Sequence, residues 1–196
     1  MPRSRSPGQR AGLTRARVVW SARQLLEREG PDALTMRALA HQLGVSPNAL
    51  YSHVEHKTAL IDEILDDALA EVQEPVEDDG DPVAALHAMM TSTFQVLLAH
   101  PSLVPLYVAR QGARGANARR LGELMLALLE RTGVTGTAAR EAQRVLIVYA
   151  IGFAAFGTRP PLEVDGVVPT AELAGNFDSG LRWLLAGITA EKSQAV

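Results

Sequence analysis

The stretch that decides the fold is Thr35-Met-Arg-Ala-Leu-Ala-His-Gln-Leu-Gly44-Val-Ser46-Pro47-Asn48-Ala49-Leu50-Tyr51-Ser52-His53-Val54-Glu-His-Lys57. It predicts a short helix, a turn at Gly44 and a second short helix. The second helix carries few long charged side chains and several small hydrogen-bonding ones. Such a pair is typical of a helix-turn-helix unit, in which the second helix lies in the DNA major groove.

The ends of these two helices are marked by residues with specific backbone preferences. Thr35 is the predicted N-cap of a helix over Met36–Leu43, and Gly44 stands where a left-handed residue commonly ends a helix. Ser46 is the predicted N-cap of the second helix. Pro47 then occupies its first position, where a missing N–H costs nothing.

Helices on both sides complete a small core. One is predicted from about Thr14 to the residue before Gly30, and another from about Thr58 to Val72. Apolar residues recur in them at helical spacing. The residues predicted to face this core are Val18, Ala22, Leu25, Leu26, Leu50, Val54, Leu60, Ile61, Ile64, Leu65 and Ala68. A unit of about 45 residues is marginal alone, so we expect it to pack on the fourth helix.

The rest of the chain shows helical periodicity throughout. Candidate helices cover 82–100, 101–112, 117–132, 137–156 and 170–189, with Pro and Gly at the breaks. No strand alternation, internal repeat or nucleotide-binding glycine loop is visible in the sequence. The predicted fold class is therefore all-α, with the acidic turn over 74–82 as the border between two units.

Composition excludes several kinds of chemistry. The chain has no cysteine, which excludes disulfides, thiol catalysis and cysteine-ligated zinc. His87 and His100 are too far apart in sequence to form a tight ligand pair, so no metal site is expected. No nucleophile–base motif or phosphate loop is present. We therefore expect a protein that is not an enzyme and needs no cofactor.

The sequence also bears on location. No apolar segment follows the basic N-terminus, so no secretory signal is recognisable. The longest apolar run, over 145–157, is shorter than the roughly 20 residues needed to span a bilayer. We expect a soluble, cytoplasmic protein that does not associate with a membrane.

Charge is distributed unevenly along the chain. Residues 1–57 contain nine basic and four acidic residues, whereas residues 58–196 contain ten basic and eighteen acidic ones. This asymmetry indicates that the N-terminal part faces a polyanion.

Residues 1–12 are rich in Pro, Gly, Ser and Arg and are predicted to be a disordered arm. Arg3, Arg5 and Arg10 could reach a minor groove, although non-specific attraction is the simpler interpretation.

The segment from Leu13 to about Leu69 resembles the DNA-binding domain of the TetR (tetracycline repressor) family, without a gap. Where the family usually has an aromatic residue, this chain has Val54. The resemblance implies an N-terminal three-helix helix-turn-helix domain joined by a helix to an α-helical ligand-binding and dimerisation domain. The matching residues are Glu29-Gly30, Ala33-Leu34-Thr35-Met36-Arg37-Ala38-Leu39-Ala40, Leu43-Gly44-Val45-Ser46, Leu50-Tyr51, His53-Val54 and Lys57.

The C-terminal part resembles the family only in its general all-α shape, although Phe177–Gly187 is similar to the final helix of many members. The resemblance implies a homodimer formed through the helices near 137–156 and 170–189. It divides the chain into a disordered basic arm (1–12), a helix-turn-helix DNA-binding domain (13–57), a connecting helix with an acidic turn (58–79), and an effector-binding and dimerisation domain (80–196).

Ten residues are candidate DNA contacts. Asn48 suits an adenine, and Pro47 and Ala49 suit a thymine methyl group. The resemblance places Tyr51 and Lys57, among others, at phosphates. Each has a structural alternative, such as an exposed helix residue or a cap. The ten are Thr35, Arg37, Ser46, Pro47, Asn48, Ala49, Tyr51, Ser52, His53 and Lys57.

Scattered polar, aromatic and methionine side chains on the apolar C-terminal helices are candidates for an effector pocket. An ordinary core would show the same pattern, and Met-rich walls would suit an apolar ligand. The candidates are Met90, Phe94, Tyr107, Arg110, Gln111, Met125, Tyr149 and Phe153.

Together these features predict a sequence-specific transcriptional repressor. We expect a homodimer that binds a palindromic double-stranded DNA operator and is released by a small-molecule effector of unknown identity. An activator of the same fold, or a DNA-binding regulator without an effector, also fits the sequence.

Overall fold

The structure is a computed structural model that describes residues 12–75, 80–158 and 170–190. In these ranges it has nine α-helices and no strand, which confirms the predicted all-α class. The predicted arm, except Gly12, lies outside the described residues. The helices are α1 (Arg15–Glu29), α2 (Met36–Leu43), α3 (Pro47–Leu50), α4 (Lys57–Leu69), α5 (Pro82–Ala99), α6 (Val104–Arg110), α7 (Ala116–Thr132), α8 (Gly136–Gly157) and α9 (Thr170–Ala190).

Two helices differ from their predicted bounds. The predicted helix over 101–112 is a 3₁₀ turn, Pro101–Leu103, followed by the shorter α6. Pro105 has no N–H to donate, so it fits only in the first turn of a helix, and α6 begins at Val104. The helix predicted to end at Val72 is α4, which ends at Leu69 and continues as a turn.

Side-chain caps fix the N-termini of three helices in the DNA-binding part. The Oγ1 atoms of Thr14 and Thr35 accept hydrogen bonds from the backbone N–H groups at the starts of α1 and α2. Ser46 is the N-cap residue of α3, as predicted, but its side chain makes no capping hydrogen bond. A cap that was not predicted is His56, whose Nδ1 accepts a 3.0 Å hydrogen bond from the N–H of Ala59 at the start of α4.

The N-terminal helices share a core with α4, as the apolar spacing predicts. Leu26, Leu39, Leu50, Leu60 and Ile64 are completely or almost completely buried. Each buried aliphatic side chain contributes about 1.5–3 kcal/mol. A one-turn helix such as α3 has little stability of its own, so Leu50 and the packing of α2 on α1 hold it in place.

The C-terminal helices form a larger bundle in which α5 packs against α7, α8 and α9. Four aromatic rings pack together where α5, α8 and α9 meet. Phe94 of α5 and Phe177 of α9 stack with ring centroids 4.0 Å apart. Phe153 of α8 packs against both of these rings, and Tyr149 of α8 packs against Phe177 and Phe153. The Tyr149 hydroxyl also donates a 2.8 Å hydrogen bond to the carbonyl of Phe177.

Among the described helices, α5 has the length and composition that a bilayer span requires. In this fold it lies inside the bundle, with Met89, Met90, Phe94 and Leu97 buried against neighbouring helices. Core helices of soluble bundles meet the same criterion, so its apolarity is accounted for by packing.

Candidate functional site

The surface of α2 and α3 presents most of the predicted DNA contacts to solvent. Pro47, Asn48 and Ser52 are exposed, and about half of the Tyr51 surface is accessible. Two of the candidate contacts, Ala49 and His53, are half-buried rather than exposed. Ala49 packs against the core beside Leu50, so only part of it can meet a base.

Two hydroxyl groups on this surface differ in what they can still offer. Thr35 Oγ1 accepts from the N–H of Ala38, which leaves its hydroxyl hydrogen free to donate to a phosphate. Ser52 Oγ donates a 2.7 Å hydrogen bond to the carbonyl of Ala49, so it presents acceptor lone pairs. In this geometry Ser52 suits the amino group of a base, and Thr35 suits the DNA backbone.

Two cations at the edges of this surface make no ion pair with a described residue. They are Arg37 on α2 and Lys57 at the start of α4, and both are exposed. By contrast, Arg15 and Arg28 are paired with Glu63 and Glu29. An unpaired surface cation can approach a phosphate without first giving up a carboxylate. Lys57 also lies beside the N-terminal amides of α4, a combination that attracts anions.

His56 adds a group that sequence reasoning did not find. Because its Nδ1 accepts the capping bond from Ala59, the neutral ring carries its proton on Nε2. That N–H is a second donor next to Lys57. The signal in the sequence was weak, since histidine is not among the preferred N-cap residues.

A cavity of about 160 Å³ lies between α5, α6, α7 and α8, and we call it the central cavity. Met90, Tyr107, Gln111 and Met125 line it, as do Leu69 of α4 and several further apolar residues. The other four predicted pocket residues do not line it. Phe94, Tyr149 and Phe153 belong to the aromatic cluster with Phe177, and Arg110 is paired with Asp62.

Tyr107 joins the central cavity directly to the connecting helix. Its hydroxyl donates a 2.6 Å hydrogen bond to the main-chain carbonyl of Leu65 in α4. The side chain is almost completely buried, and this burial raises the pKa of the Tyr107 phenol far above its usual value. The phenol therefore stays neutral and remains a donor at any physiological pH.

Two carboxylates of α4 hold both ends of the segment that connects α6 to α7. Asp62 accepts two 2.8 Å hydrogen bonds from the guanidinium of Arg110, at the end of α6. Asp66 accepts hydrogen bonds from the N–H groups of Asn117 and Ala118, at the start of α7. Residues 111–113 between them line the central cavity, so short, charge-assisted contacts join both sides of this part of the cavity wall to α4.

A second polar cluster ties α1 to the end of α5. The guanidinium of Arg23 lies 2.6 Å from Glu71 and 2.7 Å from the Nε2 of His100. Burial acts to raise the pKa of Glu71, but hydrogen bonds from His100 and Arg23 outweigh it and hold that pKa below its usual value. The cluster therefore fixes the helix-turn-helix unit against the C-terminal bundle.

Helices α8 and α9 leave large apolar side chains in solvent. Val145, Val148 and Phe156 of α8 and Trp183 of α9 are between 45% and 77% exposed. These two helices pack against each other, and their other faces contribute to the core. Large apolar patches of this kind mark interaction surfaces.

Comparison with known proteins agrees with this architecture. Residues 19–64 match the family model of bacterial regulatory proteins, tetR family, and residues 74–174 match the tetracyclin repressor-like C-terminal domain. An HTH-type transcriptional regulator of Saccharopolyspora erythraea is 32% identical over 202 positions, which cover 91% of this chain and 85% of that protein.

Solved structures show the same fold. The TetR family protein ActR of Streptomyces coelicolor, in complex with actinorhodin, is 25% identical with a TM-score of 0.77 and covers 92% of this chain and 98% of its own. BioQ bound to its double-stranded DNA operator is 25% identical with a TM-score of 0.71, and it covers 91% of this chain and 99% of its own. The chain therefore belongs to the TetR family and is a DNA-binding transcriptional regulator.

Proposed function

We propose that this protein is a homodimeric repressor that binds a palindromic operator and leaves it when a small molecule enters the central cavity. The observation that carries the proposal is that Arg37 of α2 and Lys57 of α4, the helices before and after the exposed α3, are exposed and make no ion pair with a described residue. This placement suits a helix that reads bases while flanking cations hold phosphates.

We assign the contacts by the chemistry that each side chain keeps available. Asn48 and Ser52 face base edges, with the exposed ring of Pro47 and part of Ala49 available for a thymine methyl. The remaining candidates serve the DNA backbone, where hydroxyl, imidazole and cationic groups suffice. They are Thr35, Arg37, Ser46, Tyr51, His53 and Lys57, with His56 added.

Dimerisation through α8 and α9 is supported by their exposed apolar residues. Two copies related by a two-fold axis would cover Val148, Phe156 and Trp183 with the same surface of the partner. The two α3 helices would then read half-sites about 34–36 Å apart. We therefore divide the chain into a DNA-binding domain (13–57), a connecting segment (58–79) and an effector-binding and dimerisation domain (80–196). We also propose that the protein acts in the cytoplasm without a cofactor.

Release by a ligand is supported by the contacts between the central cavity and α4. Tyr107 and Leu69 line the cavity, and Tyr107 is hydrogen-bonded to α4 while Leu69 belongs to it. A ligand weakens DNA binding only if it binds the DNA-incompetent arrangement more tightly. The same coupling then requires operator DNA to weaken ligand binding by an equal factor.

Selection of random duplexes by the purified protein at about 150 mM salt tests the proposal. We expect a palindrome whose affinity exceeds that of scrambled DNA by a thousandfold or more, in the range of specific regulators. Binding without a preferred sequence, with the same salt dependence on every duplex, would refute a sequence-specific repressor. An effector that lowers operator affinity without the reciprocal effect would refute the coupling.

A further inference from the structure

The wall of the central cavity carries no charged side chain among its described residues. The guanidinium of Arg110, the residue before the lining residue Gln111, is neutralised by two hydrogen bonds to Asp62 and does not line the cavity. The phenol of Tyr107 stays neutral because burial raises its pKa. A charged ligand would therefore lose its hydration without gaining a counter-charge, which is strongly unfavourable.

The two hydroxyl groups of the cavity wall already donate hydrogen bonds within the protein. The Thr93 hydroxyl donates to the carbonyl of Met89, and the Tyr107 hydroxyl donates to that of Leu65. The side-chain amide of Gln111 makes no hydrogen bond with a described residue. Among the lining side chains, Gln111 is thus the one that offers free N–H donors together with an acceptor.

Gln111 also has an unusual backbone and position. Its φ of 55° is the sole positive φ of a non-glycine residue in the described ranges. Side chains with a Cβ rarely adopt this conformation, and strain of this kind is concentrated at functional sites. Gln111 and Ile147 are the two exposed lining residues, which places the open side of the cavity beside them.

The volume of the central cavity and the methionine sulfurs in its wall indicate the size and chemical type of the part of the ligand that lies inside. A cavity of about 150 Å³ lined by aliphatic and aromatic residues is large enough for benzene, and this one measures about 160 Å³. Met90 and Met125 are buried in its wall, and thioether sulfurs make favourable contacts with aromatic rings.

We propose that the central cavity binds an uncharged ligand with one aromatic ring in the cavity and one hydrogen-bonding group at its open side, recognised by the amide of Gln111. The inference rests on the proposed function only in taking this cavity as the effector site. It adds the chemical class of the effector and the residue that selects it.

The test compares neutral and charged ligands of the same shape on the full-length protein without DNA. At pH 7, 4-ethylbenzyl alcohol is compared with the 4-ethylbenzylammonium ion, and 4-ethylbenzamide is compared with 4-ethylbenzoate, by isothermal titration. We expect both neutral compounds to bind and each charged partner to bind at least tenfold more weakly. Equal or tighter binding of a charged partner would overturn the inference, as would the absence of binding by all four at millimolar concentration.

Three variants locate the binding. Ala118→Leu places a larger side chain in the cavity wall and should abolish binding of the alcohol, whereas Ala127→Leu, on the exposed face of the same helix, should not. Gln111→Glu introduces a carboxylate at the open side and should reverse the preference, so that the ammonium ion binds better than the alcohol. Alcohol binding that survives Ala118→Leu, or an unchanged preference in Gln111→Glu, would contradict the assignment.

These measurements are independent of DNA binding. A protein that binds the neutral compounds but selects no palindrome would refute the proposed repressor and leave the ligand class standing. A protein that selects a palindrome but prefers the charged compounds would refute the ligand class and leave sequence-specific DNA binding standing.

Discussion

The hydroxyl of Tyr107 donates a 2.6 Å hydrogen bond to the main-chain carbonyl of Leu65, and the same tyrosine ring lines the central cavity. One side chain thus contacts both the space where a ligand would bind and the helix that precedes the C-terminal bundle. The bond joins residues 42 positions apart, between α6 and α4. A ligand that displaced this ring would shift α4 or break its hydrogen bond to Tyr107. Helix α4 is the helix that follows the helix-turn-helix unit.

Removing this hydroxyl should weaken the link without opening the core. Tyr107→Phe keeps the ring and loses one buried hydrogen bond, which should lower the free energy of unfolding by about 1 kcal/mol. We also expect a smaller ratio between operator affinities without and with ligand, because the link to α4 is lost. Thermal unfolding and operator titration measure the two effects. An unchanged ratio in a stably folded variant would show that the coupling bypasses Tyr107.

Gly115 is required where the α6–α7 connection approaches α4. A Cβ atom at this position would lie 2.2 Å from the Cγ of Asp66, whose carboxylate caps α7. Gly115→Ala should displace that carboxylate and destabilise the fold by about 1–2 kcal/mol, the cost of a lost N-cap. Gly80→Ala is the matched control, because no atom of a described residue lies within 4 Å of the added Cβ. Equal unfolding temperatures for the two variants would contradict the close approach.

The two unpaired cations should act through the DNA backbone. Arg37→Ala and Lys57→Ala should each reduce the slope of log affinity against log salt by about 1, equally on operator and scrambled DNA. Arg119→Ala removes an exposed arginine of α7 and should leave the slope unchanged. A loss confined to the operator would instead make the residue a base contact.

Asn48 should act through a base. Asn48→Ala should cost about 1–3 kcal/mol on the operator and relax specificity at one base pair of each half-site. Affinity for scrambled DNA should stay the same, because no charge is removed. A parallel loss on both kinds of DNA would assign Asn48 to the backbone.

The exposed apolar face of α8 should hold the dimer together. Val148→Asp would bury an unpaired carboxylate in that interface, at a cost of several kcal/mol, and should give monomers with weak operator binding. Val108→Asp alters an exposed valine of α6, 51% accessible, and should remain dimeric. Sedimentation velocity distinguishes the two, and a dimeric Val148→Asp would place the interface elsewhere.

Acid should loosen the contact between α1 and the C-terminal bundle. Because the pKa of Glu71 is lower in the folded protein than its usual 4.5, its contribution to stability is complete above that value and is lost as the pH falls through the lower, folded-state pKa. Glu71→Gln should therefore destabilise the protein by about 1 kcal/mol at pH 7, the scale of one hydrogen bond to a charged group that is partly exposed. Chemical unfolding of both proteins at pH 7 and pH 3 should show the difference shrinking in acid, and a constant difference would exclude Glu71 as the titrating group.

The sequence predicted the helix-turn-helix closely because its signals are local. Thr14 and Thr35 cap the starts of helices and Gly44 caps the end of one, through contacts within a few residues. Periodicity identifies Leu50 and Val54 as inward-facing. Ser46 occupies the predicted N-cap position without the capping hydrogen bond, and the cap at His56 was missed. Both depend on where a side chain turns within the loop, which residue preferences describe only on average.

The lining of the central cavity was harder to predict, since aromatic and methionine residues look alike whether they line a cavity or fill a core. Phe94 stacks on Phe177 and Phe153 meets it edge to face, although Phe177 is a residue of α9 that sequence spacing does not connect to them. Arg110 has the polarity of a ligand contact but is neutralised by Asp62, 48 residues earlier. Such pairings are fixed by helix packing.

By itself, therefore, the sequence determined the all-α class, the bounds of most helices and the helix-turn-helix unit, because capping and helical periodicity act over a few residues. Only the tertiary structure decided which apolar side chains enclose the central cavity, which carboxylates of α4 hold Arg110 and the start of α7, and which apolar residues of α8 stay exposed. These depend on how helices distant in sequence pack together, and a space between helices exists only once their relative positions are fixed.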